Sequence, residues 1–405
     1  MIEAPNVAVH SSPKLPAFVM HRMDAWHERY SKEWGGDHLL HGRDQGNGDL
    51  LLCSNDYLSL SGEREILDKQ LSAMSGARDL LMSAVFFHGD NPQGRLEGKM
   101  AAFLRSEAGV LCQSGWAANV GLMQTLAAPG VPVYLDVLAH ASLWEGVASA
   151  GAMPVHFRHN DASHLEEQLL IHGQGIVAVD SVYSTNGSLC PVASILEMAE
   201  KYGSILIVDE SHSVGTHGPC GAGIVVDLKL QDRVHFRTLS LAKTFAGRAG
   251  FITCPEVFKN YFAIESRHAV FSSCLLNHEY DWFTAAIEFI KKADDRRSRL
   301  MDITHRLRVG LDDLGYNVSD GSEQIISLES GPESQTMVLR NAMQARGIFG
   351  AVFCLPATSK SRSLVRMSIH SGLTDLEVDR ILNVCADIRV AVDLAHWPST
   401  LRRKH

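Results

Sequence analysis

None of the eight cysteines, at positions 53, 112, 190, 220, 254, 274, 354 and 385, forms a CxxC pair with another. That spacing excludes a zinc ribbon or a dense disulfide framework as the organising device, and it fits a reduced, cytoplasmic setting. Long apolar runs are also missing: no stretch reaches the roughly eighteen uninterrupted apolar residues of a membrane helix, and no basic segment leads into an apolar core at the start of the chain. A soluble protein without a membrane span is therefore expected. Excess positive charge is absent too, the formal net charge being -9, which disfavours nucleic acid as a partner. The basic Leu401–His405 end reads as a solvated tail. Neither internal repeats nor low-complexity segments occur.

What is present suits a large domain and a smaller one: 405 residues, 45% of them hydrophobic. Between about Leu50 and Cys254, short apolar runs alternate with helical patterns. Strands are expected at Gly109–Gln113, Pro132–Asp136, Met153–Phe157, Gly175–Tyr183, Ser204–Ser211 and Ala249–Cys254, and helices at Gln93–Glu107, Gly115–Leu126, Ser142–Ala150 and Ala193–Tyr202. Runs that are apolar throughout, such as Ile205–Val208, suit strands covered on both faces, so the order predicts an α/β fold with a doubly wound, mainly parallel sheet. Glu279–Gly315 reads as one long charged helix, with Asp294–Arg297 as a solvent-facing turn. Beyond it, strands at Gln324–Leu328, Gly350–Cys354 and Leu364–Ile369 and helices at Glu333–Arg346 and Asp375–Leu394 predict an α+β cap. The expected division is an N-terminal arm (1–48), a large domain (49–282) and a small C-terminal domain (283–405).

Three segments can carry chemistry. In Val208-Asp209-Glu210-Ser211-His212, an apolar strand ends in a carboxylate, the place where open α/β sheets bind ligands. Asp209 there could keep a heterocyclic nitrogen protonated, with His212 reaching a neighbouring polar atom. Capping of the following turn is the plain alternative, and a metal set of Asp209, His212 and His217 lacks a fourth ligand, so none is expected. In Ser240-Leu241-Ala242-Lys243-Thr244-Phe245, a lysine stands among apolar and small residues, where desolvation favours the neutral amine that a Schiff base needs. Alone it could equally be a surface lysine with a packed stem. In Cys112-Gln113-Ser114-Gly115-Trp116, a strand enters a helix whose N-terminus offers free N–H groups to a phosphate, or is simply capped.

Taken together with Ser54-Asn55-Asp56-Tyr57-Leu58 near the start and Arg366-Met367-Ser368-Ile369-His370 near the end, these segments resemble the α-oxoamine synthases, pyridoxal-5′-phosphate (PLP) enzymes of fold type I. The resemblance implies Lys243 as the cofactor-holding lysine, Asp209 as partner of the ring nitrogen, His212 beside the ring hydroxyl and His140 stacked on the ring. It further implies Ser181 beside the cofactor, Ser114, Gly115, Trp116 and Ser240 at the phosphate, and Ser272 and Ser273 completing the phosphate site of a second subunit in a homodimer. Arg366 matches the arginine for the substrate carboxylate, and Asn55 and Tyr57 fall in the substrate-binding set. At Met82–Asp90 the chain departs from the family's glycine-rich, arginine-containing stretch, bulky apolar residues standing there instead. The variant is similar to autoinducer synthases of the α-hydroxyketone type, which implies condensation of a fatty acyl-CoA with an amino-acid donor to give a quorum-sensing ketone. Phe86, Phe87, Phe271 and Phe353 are candidates for lining an acyl tunnel. Synthases of other aminoketones (8-amino-7-oxononanoate, 2-amino-3-ketobutyrate, 5-aminolevulinate or sphingoid-base type) and a non-catalytic PLP-binding protein are the alternatives.

Overall fold

The computed structural model describes residues 13–76, 79 and 81–402. The first twelve residues of the expected arm and residues 403–405 of the basic tail lie outside them. Among the described residues, twelve strands run in chain order: β1 (Leu50–Leu51), β2 (Ala108–Cys112), β3 (Pro132–Asp136), β4 (Met153–Phe157), β5 (Ile176–Asp180), β6 (Ile205–Asp209), β7 (Phe236–Ser240), β8 (Gly250–Cys254), β9 (Ile325–Gly331), β10 (Ile348–Phe349), β11 (Ala351–Phe353) and β12 (Ser363–Ser368).

Seven of them form the main sheet in the order β2-β8-β7-β6-β5-β3-β4, and only β8 runs against its neighbours. The apolar composition of β5 and β6 follows from this position, since helices cover both faces and nearly every residue is buried. Parallel pairing has a second effect: it puts the carboxyl ends of β5 and β6 side by side, with Asp180 opposite Asp209. An antiparallel sheet of β11-β12-β9 builds the small domain, and β1 pairs with β10, tying residues 50–51 to 348–349. The α/β architecture expected from the sequence is the one observed.

Several boundaries differ. The expected strand Gly175–Tyr183 stops at Asp180, because Val182 turns out to bridge Leu189. β7 was not legible, and neither were the helices Arg64–Met74, Ala162–His172 and Glu256–Glu265. The single long helix expected over Glu279–Gly315 is two, Asn277–Lys292 and Asp294–Asp313, broken at Ala293 with ψ of 38°. Its Asp294–Arg297 segment is not wholly solvent-facing either. Arg297 is buried and donates to the carbonyls of Gly215 and Ile290, while Arg296 donates to Leu58 O and to Glu63. Both arginines thus anchor the new helix to loops around the carboxyl edge of the main sheet. The last helix, Asp375–Ile388, opens on a capping box from Thr374 and Glu377 and ends short of the expected Leu394. No helix among the described residues is long and apolar enough to cross a membrane.

Candidate active site

The carboxyl ends of β3, β5, β6 and β7 and the N-terminus of the helix Gly115–Leu126 enclose a cavity of about 120 Å³. It is lined by Gly115, Trp116, Asn119, His140, Asp180, Asp209, Ser211, His212, Ser240 and Lys243. Seven residues singled out from the sequence therefore converge on one space. Three others in the lining, Asn119, Asp180 and Ser211, were not assigned a role beforehand.

Asp209 is 5% exposed and held from two sides: Asn119 Nδ2 donates to its Oδ2 at 2.7 Å, and the Ser211 backbone N–H to its Oδ1 at 2.9 Å. Asn119 also donates to Ser142 Oγ, which lies 2.7 Å from Nδ1 of His140. One chain of hydrogen bonds thus fixes both the carboxylate and the imidazole. Burial lowers the His140 pKa, with the Lys243 and Arg366 charges adding to it and Asp209 opposing.

Lys243 sits in the turn after β7 and lines the cavity. Burial lowers its pKa to about 8, against the pull of the Asp209 and Asp180 carboxylates. A free amine is therefore accessible near neutral pH, which is what condensation with an aldehyde requires. His212, 4% exposed, is pushed well below the usual histidine range by burial and by the Lys243 and Arg366 charges. Its Nδ1 lies 2.6 Å from the Tyr57 hydroxyl, which also approaches Asn55 Oδ1 at 3.3 Å.

Asn55 continues the network to the small domain, accepting from Arg366 Nη2 and Ser368 Oγ, each at 3.0 Å. Arg366 donates through Nη1 to Ser184 O and lies over the Phe353 ring at 4.5 Å, leaving its buried Nε without a partner. The substrate set expected from the sequence is brought together, then, and is joined to the cavity through His212.

The helix N-terminus is built for close approach. Ser114 caps it by accepting from Ala117 N at 3.0 Å. A Cβ on Gly115 would come within 2.6 Å of Ser240 Cβ, so only glycine lets the helix end meet β7 this closely. Trp116, 47% exposed, stands edge-on to His140. Ser181 does not line the cavity: its hydroxyl donates to Asp209 O and pairs with Ser213 Oγ, holding the strand ends together. Ser272 and Ser273 lie outside it as well. The Ser272 hydroxyl donates to His268 O, Ser273 O accepts from Gln113 Nε2, and Ser273 bridges Ser83 in the divergent Met82–Asp90 segment.

These residues fit PLP. A fixed carboxylate, a lysine of depressed pKa, a neutral histidine and a helix N-terminus surround one cavity, and the two oxygens of Asp180 and the Asn119 Oδ1 remain without hydrogen-bond partners there. Among the described residues, no group of three or more His, Cys, Asp or Glu is disposed to hold a metal ion.

Comparison with known proteins agrees. The model of the family described as aminotransferase class I and II matches residues 47–384. The CAI-1 autoinducer synthase of Vibrio campbellii is 41% identical over 375 residues, covering 92% of this chain and 95% of that protein. An 8-amino-7-oxononanoate synthase of Lysinibacillus sphaericus is 27% identical, covering 84% and 88%. Among solved structures, the Sphingomonas wittichii serine palmitoyltransferase superposes with a TM-score of 0.86 at 22% identity, over 94% of this chain and all of that one. With the site geometry, these matches show that the chain belongs to the aminotransferase class I and II family, in its α-oxoamine synthase branch, and is a PLP-dependent acyltransferase.

Proposed function

We propose that this enzyme condenses a fatty acyl-CoA with an amino-acid donor to make a long-chain amino- or hydroxyketone autoinducer, working as a cytoplasmic homodimer. The observation that carries the reading is the placement of Lys243 and Asp209 in one cavity whose His212 is joined to the buried Arg366 through Tyr57 and Asn55. The 41% identical CAI-1 autoinducer synthase supports the product class over that of the 8-amino-7-oxononanoate synthases, which match at 26–29%.

When bound, PLP supplies a protonated ring that draws electrons from the Cα of an amino acid joined to it. Asp209, fixed by Asn119 and the Ser211 N–H, would hold the ring nitrogen's proton. His212 would donate toward the ring hydroxyl, His140 would cover the ring, and Gly115, Trp116 and Ser240 would receive the phosphate. The planar guanidinium of Arg366 suits the donor's carboxylate. Lys243 then takes the Cα proton. Cα would bond to the thioester carbonyl carbon as its C–S bond breaks and CoA leaves as the thiolate, and loss of the donor's carboxylate as carbon dioxide would leave the aminoketone. Ser272 and Ser273, whose hydroxyls lie outside the cavity of their own chain, would complete the phosphate site of the partner subunit. The large domain (49–282) carries the cofactor in this reading, and the small one (283–405) brings Arg366.

Incubating the PLP-loaded protein with acyl-CoA thioesters and a panel of amino acids, with thiol release and product mass as readouts, tests this. CoA release that depends on both substrates and vanishes in Lys243→Ala is expected; product formed equally by Lys243→Ala would overturn the scheme.

A further inference from the structure

Asp136 ends β3 with no exposure, and its carboxylate gathers the loops around it. Its Oδ1 accepts from the Leu138 N–H at 2.8 Å and from Nδ1 of His159 at 2.9 Å, and its Oδ2 accepts from the Asn160 N–H at 2.8 Å. The Leu138 bond, with the Ala139 N–H donating to the Asp136 carbonyl, wraps the turn 137–139 around this residue. His140 follows at once and opens the helix Ala141–Ala150. His159 itself comes from the loop after β4, next to Asn160, whose φ of 56° lies in the left-handed region that asparagine tolerates.

The other side of the imidazole reaches a different loop. Nε2 of His159 lies 2.8 Å from Ser188 Oγ, and the ring stands edge-on to Tyr183 with centroids 4.4 Å apart. Tyr183 and Ser188 close the hairpin 183–188, the Tyr183 N–H donating to the Ser188 carbonyl at 3.0 Å and the Gly187 N–H to the Tyr183 carbonyl at 2.9 Å. Within that hairpin stands Ser184, whose carbonyl accepts from Arg366 Nη1 at 2.8 Å. Asn160 adds a parallel tie, from its Nδ2 to the Leu189 carbonyl. Asp136, His159 and Ser188 have the order of a hydrolase triad, but the arrangement is not built to attack a substrate. Ser188 is 6% exposed, and its hydroxyl also lies 2.8 Å from Asn186 Oδ1, an atom that can only accept. None of the three residues lines the active-site cavity. What the imidazole does is span two loops that each support a residue of the site.

We propose that His159 is a positioning residue for the amino donor: by joining the Asp136 carboxylate to the Ser188 hydroxyl, it holds the hairpin that supports Arg366 in register with the turn that presents His140. The proposal rests on the reading that Arg366 takes the donor's carboxylate. An imidazole suits the task because its two nitrogens stand apart on one rigid ring, so a single side chain fixes both loops. The two bonds act on different partners. Loss of the Ser188 bond releases the hairpin alone, whereas loss of the Asp136 bond also takes a donor from a fully buried carboxylate at the foot of the turn to His140.

The test is a spectroscopic titration of the PLP-loaded enzyme with L-alanine and with ethylamine, the same amine without the carboxylate. Wild type should bind alanine more tightly than ethylamine, and Arg366→Ala should erase that preference. Ser188→Ala breaks the hairpin bond alone. So does His159→Asn, in which a side-chain amide takes the place of Nδ1 and keeps the Asp136 bond. Each should weaken alanine binding about two- to tenfold, the worth of one hydrogen bond, while ethylamine binding and the cofactor absorbance stay as in wild type. His159→Phe, which keeps a ring against Tyr183 and loses both bonds, should in addition shift the cofactor absorbance; an unmoved absorbance there would remove the His140 half of the proposal. A preserved alanine preference in either Ser188→Ala or His159→Asn overturns it, and so does equal weakening of alanine and ethylamine, the mark of general loosening. A wild type with no preference for alanine overturns the carboxylate reading of Arg366 and takes this proposal with it, so the wild-type titration alone tells the two failures apart.

Discussion

The phenolic oxygen of Tyr57 lies 2.6 Å from Nδ1 of His212, both side chains being buried. Burial raises the Tyr57 pKa, so the hydroxyl keeps its proton and donates it. Nδ1 of His212 is then the acceptor, and the ring carries its own proton on Nε2. This fixes the tautomer that can donate toward the cofactor. Tyr57→Phe removes the donor and leaves Nδ1 without a partner, which costs about 1–3 kcal/mol. Urea unfolding should show a loss of that size, and the bound-cofactor absorbance should shift as the imidazole loses its fixed orientation; an unchanged spectrum would deny His212 a place beside the ring.

The amine of Lys243 carries a second prediction. Its pKa is lowered by burial to about 8, and only the neutral amine attacks an aldehyde. The rate at which apoprotein captures PLP should therefore rise with pH around a midpoint near 8, rather than near the ordinary lysine value of 10.5. The same shift acts on stability. Between the two values the unfolded chain binds this proton and the folded one does not, so Lys243 makes folding more favourable as pH rises through that window, and has no such effect below it. Stopped-flow absorbance of PLP binding against pH, with Lys243→Ala as the flat control, reads the midpoint.

Which parts of this site were legible follows from how locally they are encoded. Asp209 and His212 stand in a polar stretch that directly ends an apolar strand, Lys243 interrupts an apolar and small-residue run, and the cavity holds all three. Asn119 was not legible, since its role depends on the helix face turned toward Asp209, ninety positions away. Strand β7 escaped for a related cause. Arg237 in its middle reads as an exposed charge until Glu210, 27 positions earlier, is seen to cover it. The break at Ala293 had no glycine or proline to announce it. Ser181 ends an apolar run just as Asp209 nearly does, yet its hydroxyl turns to Ser213, a choice of side-chain direction that no pattern of residue types records.

Asp180 ends β5 opposite Asp209, is 3% exposed, and neither of its oxygens has a hydrogen-bond partner. Burial, with the Asp209 and Asp136 charges, raises its pKa well above the usual carboxylate value, outweighing Lys243 and the nearby His140 N–H. The folded protein thus binds a proton that the unfolded chain releases above about pH 4, and the group disfavours folding increasingly as pH climbs toward its raised pKa. Asp180→Asn keeps the shape and removes that burden. In the apoprotein it should be neutral or stabilising by about 1–3 kcal/mol at pH 7 and lose this advantage in acid, whereas Asp209→Asn should abolish turnover. Thermal unfolding of both variants across pH, beside their cofactor spectra, distinguishes the two carboxylates; a large loss of stability in Asp180→Asn would mean that Asp180 is ionised.

Glu210 follows Asp209 directly and points away from the cavity, into a site with no exposure at all. There its Oε2 accepts from Arg237 Nε at 2.6 Å, and its Oε1 accepts from the Val225 N–H at 3.0 Å. Arg237 also donates through Nη1 and Nη2 to the carbonyls of Leu104 and Ala222. The pair ties β6 to β7, and so fixes the spacing between Asp209 at the end of one strand and Lys243 in the turn after the other. Breaking it by Arg237→Met leaves the Glu210 carboxylate buried without its counter-charge, a loss of about 3–5 kcal/mol. Replacing both, Glu210→Gln with Arg237→Met, removes the uncompensated charge and should recover part of that stability. Denaturant unfolding of the two single variants and the double gives the coupling. If the singles lose less than 1 kcal/mol, roughly the worth of an exposed pair, then water reaches Glu210 and this contact does not hold the two strand ends in place.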